Sequence, residues 1–150
     1  MTAGDLPEKS RPSVGLDFQS AEWIEGPTGF IRLRQDGILE TRAKTGAVET
    51  LKTAKDNFNL GIQIVGNKAP VPMLLVLGGL TDQSREARNF WADNAGRLNV
   101  ISRLAIVTRS YVSLVLGNVF IGLSKPDIPV KLFTDENKAI SWLKKSSLTN

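Results

Sequence analysis

Hydroxyls and charges gather at one point in the chain. Thr81, Asp82, Ser84, Arg85 and Arg88 follow directly on the apolar run 73–77 and the pair Gly78-Gly79. A second polar cluster, Thr108, Arg109 and Ser110, follows the apolar residues 104–107. Polar groups just past the carboxyl end of a buried strand lie where open α/β sheets bind their ligands. The chemistry open to them is narrow, because the chain contains neither histidine nor cysteine. Without imidazole the hydroxyls of Thr81 and Ser84 lack the usual general base, and the serine triad in its common form is excluded. Without thiolate or imidazole the common zinc ligand sets are excluded as well. Gly78-Gly79 is not a phosphate loop, since neither the G-x-x-x-x-G-K-[ST] nor the G-x-G-x-x-G spacing is present. No catalytic residues, no metal and no cofactor are therefore expected.

The rest of the chain must position these groups. At 150 residues it is one ordinary domain's worth, and its 41% hydrophobic and 23% charged content is that of a soluble globular protein. Residues 1–14 have almost nothing to bury and are read as a disordered N-terminal tail, 15–146 as a single domain and 147–150 as a C-terminal tail. The net charge of +4 is a mild bias, and the nineteen basic residues are spread along the chain with no run longer than Lys144-Lys145. A nucleic-acid footprint would cluster, so no nucleic-acid partner is expected. No stretch has the ~18 consecutive apolar residues that cross a bilayer, and the N-terminus lacks a basic region followed by an apolar one. The expectation is a cytoplasmic protein with no membrane span.

Periodicity supplies the elements. Leu16, Phe18, Trp23 and Ile24 suggest an edge strand ending at Gly26-Pro27. Alternation over 30–34 predicts a half-covered strand, and Asp36-Gly37 a type I′ turn returning into 38–42. Arg32, Arg34 and Arg42 are read as a solvated strand face. From Gly46 to Val65 the apolar residues Ala47, Val48, Leu51, Ala54, Phe58, Ile62 and Val65 predict one amphipathic helix, with Thr45 as N-cap, Glu49 in its first turn and Gly61 as an alternative end. The run from Met73 is a strand covered on both faces. A second helix is expected from Ser84 to about Gly96, with Asn94 on its inner face bonded to a loop carbonyl. Buried strand 103–107 and edge strand 130–133 follow, and Thr134 caps a last helix that opens on Asp135-Glu136 and ends on Lys144-Lys145. Between those two strands lies a helix whose core stripe, Val112 to Leu123, is doubled by a second apolar line, Tyr111, Leu114 and Ile121. A helix apolar nearly all round must be covered twice, so those three residues form a candidate subunit interface, with a small apolar ligand as the alternative.

The order hairpin, then α-β-α-β-α-β-α, comes with specific residues. Arg103 to Val107, Val119 to Leu123, Pro126 to Glu136, Ala139 to Leu143, and Thr81 to Arg88 together resemble the bacterial SpoIIAA-like (STAS-like) family of small domains, many without an assigned role. The resemblance covers about 29–145. It implies an α/β fold with a mixed sheet of five to six strands, an N-terminal hairpin and four helices. In the anti-sigma factor antagonists of this group, a serine just after the central strand is phosphorylated and the domain binds a kinase-like partner. The resemblance thus makes Ser84, then Thr81, the candidate phospho-acceptors, with Asp82, Arg85, Arg88 and Arg109 as anion or partner contacts. Those relatives tend to carry Asp-Ser-(Ser)-Gly, whereas this chain reads Asp82-Gln83-Ser84-Arg85. A plain helix cap at Ser84, worth ~1 kcal/mol, is the preferred reading. The expected function is a non-catalytic protein-interaction or regulatory domain that self-associates as a homodimer. The alternative is a small carrier of an apolar or anionic ligand, as in CRAL-TRIO-like folds.

Overall fold

The computed structural model describes residues 22–94, 99–108 and 128–145. Six strands form one sheet: β1 (Ile24–Glu25), β2 (Gly29–Leu33), β3 (Leu39–Ala43), β5 (Val71–Val76), β7 (Ile101–Val107) and β8 (Val130–Phe133), side by side in that order. β1, β2 and β3 pair antiparallel, and β3, β5, β7 and β8 pair parallel. Two further strands, β4 (Ala47–Glu49) and β6 (Leu80–Gln83), form a separate parallel pair. The described helices are α1 (Leu51–Val65), α2 (Arg85–Asn94) and α3 (Glu136–Lys145). This is the mixed α/β sheet with an N-terminal hairpin that the sequence implies. The fourth expected helix, with Tyr111, Leu114 and Ile121, lies outside the described residues, as do 1–21 and 146–150.

The two faces of the sheet have different coverings. On one, Ile31, Leu33 and Leu39 pack with Ile64 and Val65 of α1, while Trp91 of α2 packs against Leu104 and Ile106. Right-handed parallel crossovers put successive helices on one face, and α1 and α2 obey this. The other face carries Leu74, Ala105 and Val107 under Ala139 and Leu143 of α3. Register extends that second face outward in both directions. Arg32 lies opposite Glu40, Glu40 opposite Leu74, Leu74 opposite Ala105 and Ala105 opposite Lys131. The row is charged at the hairpin, apolar under α3 and basic at β8.

Several local expectations are corrected. The hairpin loop is longer than a two-residue type I′ turn. Gly37 N–H donates to the Arg34 carbonyl and Arg34 N–H to the Ile38 carbonyl, with Gly37 at φ 87°, the left-handed conformation that closes a three-residue loop. The segment 46–65 is not one helix. Ala47–Glu49 pairs with β6, and Thr50 rather than Thr45 is the N-cap: its hydroxyl accepts from Thr53 N–H while the Thr53 hydroxyl accepts from Thr50 N–H. Gly61 does not end α1: it sits buried in mid-helix facing Ile31 and Leu39, where an added Cβ would meet only ordinary contacts at 3.8 and 3.9 Å. Residues 80–83, read as loop, form β6. At the last helix Asp135, not Thr134, is the cap, its carboxylate accepting from the N–H groups of Asn137 and Lys138. Asn94 donates to the Phe90 carbonyl of its own helix, not to a loop.

The hairpin arginines are not a solvated face either. Glu40, 1% exposed, accepts from Arg32 Nε at 2.9 Å and Arg42 Nε at 2.7 Å, and Arg34 stands 3.8 Å away. Arg42 also forms a two-pronged pair with Glu136, tying the hairpin to α3. Arg32 stacks 4.4 Å above the buried Trp23 ring. Burial opposes the charge on Arg42, and Glu136 and Glu40 outweigh it, raising its affinity for the proton above the ordinary value.

Candidate functional site

β4 and β6 lie beyond the carboxyl ends of β3 and β5, and each runs straight into a helix through a hydroxyl cap. Glu49 leads through Thr50 into α1, and Gln83 leads through Ser84 into α2. The two units are parallel and stitched together. Ser84 N–H donates to the Glu49 carbonyl at 2.9 Å, and the Thr81 hydroxyl donates to the Ala47 carbonyl at 3.0 Å. Gly79 makes the pairing possible. Its carbonyl accepts from Gly46 and Ala47 N–H, and an added Cβ would lie 2.5 Å from the Lys44 carbonyl oxygen.

Beneath this pair, Glu49 is 8% exposed and faces inward. Its Oε2 accepts from Gln83 Nε2 at 2.9 Å and Trp91 Nε1 at 3.0 Å, and its Oε1 from Asn57 Nδ2 at 3.4 Å. Asn57 also donates to the Thr28 hydroxyl at 2.7 Å. One carboxylate thus joins β4, β6, α1 and α2. Burial raises the Glu49 pKa above the ordinary carboxyl value, and the three neutral donors only partly oppose this. Edge-to-face packing of Phe58 with Phe90 and Trp91, with centroids 5.5 and 5.9 Å apart, completes the α1–α2 contact.

A cavity of about 120 Å³ opens next to Glu49. Thr28, Glu49, Asn57 and Gln83 stand among its lining, whose remainder is mostly apolar, including Phe58, Met73, Leu75 and Leu104. Thr41 also lines it, and the Thr41 hydroxyl oxygen is buried with no hydrogen-bond partner.

The site residues named from the sequence divide here. Ser84 is a helix cap, its hydroxyl accepting from Ala87 N–H at 3.1 Å. Thr81 binds β4, and Arg88 reaches back to the Gln83 carbonyl at 2.7 Å, with its Nε buried and unpaired. Asp82 and Arg85 are exposed. Thr108 is buried at the end of β7 with its N–H on the Phe133 carbonyl. Arg109, Tyr111, Leu114 and Ile121 lie outside the described residues. The structure therefore gathers Thr81, Asp82, Ser84, Arg85 and Arg88 at one end of the fold and commits the side chains of three of them, Thr81, Ser84 and Arg88, to hydrogen bonds with its own backbone. Val48, opposite Asp82 in the β4–β6 register, is 51% exposed. Sequence reasoning missed Glu49. The signal was the Thr50-to-Thr53 capping pair, which moves the helix start past Glu49 and leaves that residue on a strand. Among the described residues, no group of three or more acidic, histidine or cysteine residues is arranged to hold a metal.

Known proteins agree with the architecture. No curated protein matches the chain. An uncharacterised protein of the DUF3478 family from Shewanella loihica PV-4, with a SpoIIAA-like fold, superposes with a TM-score of 0.54 at 21% identity, over 80% of this chain and 95% of that one. The fold is thus SpoIIAA-like. A protein of unknown function from Arthrobacter sp. FB24 is 30% identical over 80% of this chain and 95% of its own, with a TM-score of 0.29. The model of the domain-of-unknown-function family DUF7793 matches residues 31–147, and the chain belongs to that family.

Proposed function

We propose that this is a non-catalytic STAS-like interaction domain that works through a protein partner docking at the β4–β6 end of the fold. The supporting observation is Val48, a large apolar side chain standing exposed on a short two-stranded sheet, with exposed Asp82 opposite it in register and exposed Arg85 at the start of α2. Apolar area left in water beside charges is the composition of a binding surface. The two hydroxyls support a role without turnover, because Ser84 and Thr81 are engaged with backbone groups. Self-association rests on the second apolar line of the sequence, Tyr111, Leu114 and Ile121. Phosphorylation of Ser84 would place an anion at the start of α2 beside Arg85, where helix N–H groups favour it.

A second reading draws on the cavity. Its apolar lining, the carboxyl of Glu49 and the unpartnered Thr41 hydroxyl suit a small apolar ligand carrying one polar group. Native mass spectrometry of the purified wild type, Val48→Asp and Ser84→Ala proteins separates the readings. A stoichiometric protein partner lost on Val48→Asp, with the melting temperature unchanged, supports the interaction domain. A bound small molecule retained by all three proteins, with no protein partner, replaces it with the carrier.

A further inference from the structure

A second surface lies away from β4–β6. Between β8 and α3 runs a shallow groove of about 430 Å³, lined by Lys131 and Phe133 of the strand and by Lys138, Trp142 and Lys145 of the helix, among others. Among the described residues lining it, every ionisable side chain is a lysine. The nearby acids face elsewhere: Asp135 caps α3 and Glu136 pairs with Arg42. Groove and strand edge coincide. β8 ends the sheet order, and no described strand pairs with its outer side. The carbonyls of Pro129 and Phe133 accept from Leu104 and Thr108 of the β7 side. Backbone direction alternates along a strand, so Val130 and Leu132 turn their N–H and C=O groups outward.

The aromatic rings narrow the class of partner. Arg103 stacks 4.2 Å from the Trp142 centroid and donates to its carbonyl, Phe133 lies 5.7 Å from Trp142, and Lys131 sits 5.4 Å from the Phe133 centroid. Cations and neighbours already occupy these ring faces, which leaves poor platforms for stacking bases. A strand edge that no described strand covers, beside the exposed Lys131 and Lys138, instead matches an extended chain with acidic side chains.

We propose that the β8–α3 groove binds an extended acidic peptide segment of a partner protein, added as a strand along β8 with its carboxylates toward Lys131 and Lys138. This goes beyond the reading of the β4–β6 surface and does not depend on it. The probe is a fluorescein-labelled decapeptide of alternating glutamate and valine, followed by anisotropy with the full chain. Binding is expected to weaken about tenfold or more in the Lys131→Glu/Lys138→Glu protein and to be intermediate in Lys131→Ala/Lys138→Ala. Both lysines are exposed, so thermal melts should match wild type; should the charge reversal fail to fold, the alanine pair decides. Hydrogen exchange supplies the geometric arm, with the Val130 and Leu132 amides gaining protection when the peptide binds. The proposal is overturned by a wild type that does not bind, by equal binding to the folded lysine variants, by unprotected Val130 and Leu132 amides, or by tighter binding of a ten-nucleotide oligothymidine than of the peptide.

Discussion

Glu40 and Glu49 are both almost wholly removed from water, the first within the second-face row on β3 and the second at the end of β4. Guanidinium groups surround Glu40, with Arg32 and Arg42 in direct contact and Arg34 slightly farther off. Neutral donors surround Glu49: two amides and an indole. Ionised partners offset much of the cost of burying a carboxylate, whereas neutral donors leave much of that cost in place. The hairpin network therefore acts as a fixed electrostatic clasp, and the β4–β6 end carries a carboxyl whose charge costs the fold stability. A region meant to be rigid and one adjoining a candidate binding surface are built from the same side chain with opposite partners.

Removing the clasp should have the largest effect. Glu40→Ala leaves three arginines clustered on the hairpin, Arg32 stacked over Trp23, with their shared acceptor gone. Because their side chains remain about a quarter exposed, each guanidinium keeps some water. A loss of about 3 kcal/mol, at the low end for a broken buried pair, is expected in urea unfolding at neutral pH. A loss below that of an ordinary surface pair would show the arginines to be solvated after all, and the contrast with Glu49 would disappear.

Trp91→Phe tests the other side with a smaller change. The aromatic character is kept in a smaller ring, while Glu49 loses its indole donor and retains Gln83 and Asn57. About 1–2 kcal/mol of destabilisation is expected, the range for a buried acceptor losing one partner. The edge-to-face contact with Phe58 offers an internal check, since Phe90 lies on the same aromatic cluster without touching Glu49. Phe90→Leu should therefore perturb packing and leave the pH dependence of stability intact, whereas Trp91→Phe should alter both.

Much of this architecture was legible from patterning. Alternation over 30–34, the apolar runs at Met73 and Leu104, and the acid-first, base-last helix after Phe133 each correspond to an observed element, because burial on one or two faces imposes those periods directly. The boundaries that failed share a cause. Thr45 and Thr50 are both competent caps, and a helical spacing through Ala47 and Val48 fits as well as a strand until β6 is known to pair with it. β6 itself contains Leu80, Thr81, Asp82 and Gln83, too polar to announce a strand, and exists through tertiary pairing. The Glu40 and Glu49 environments were hidden for the same reason, since Arg42 and Glu136, or Glu49 and Trp91, meet only in the folded chain. Alternation correctly put Arg32, Arg34 and Arg42 on one side of the hairpin, but no local rule says that a glutamate sits among them.

The subtlest expected difference is one of slope. Glu49 binds its proton more tightly in the folded than in the unfolded chain because it is buried. Its contribution to stability is fully present below the unfolded carboxyl pKa and declines as pH rises toward the raised folded value. Asp36, at the clasp, behaves oppositely. Burial works against its charge, but Arg34, the Ile38 N–H and Lys144 hold its carboxyl below the ordinary value, so its contribution is present at neutral pH and is lost as pH falls through the lowered folded value. Urea midpoints measured between about pH 3 and 7 for wild type, Glu49→Gln and Asp36→Asn should separate the two ends of the molecule. Glu49→Gln should flatten the decline on the rising side, and Asp36→Asn should flatten the loss on the acid side. Parallel wild-type and Glu49→Gln curves would mean that Glu49 has an ordinary carboxyl affinity for the proton in the fold. The carboxyl beside the cavity would then be as firmly ionised as a surface acid, and the proposed contrast between clasp and binding end would reduce to geometry alone.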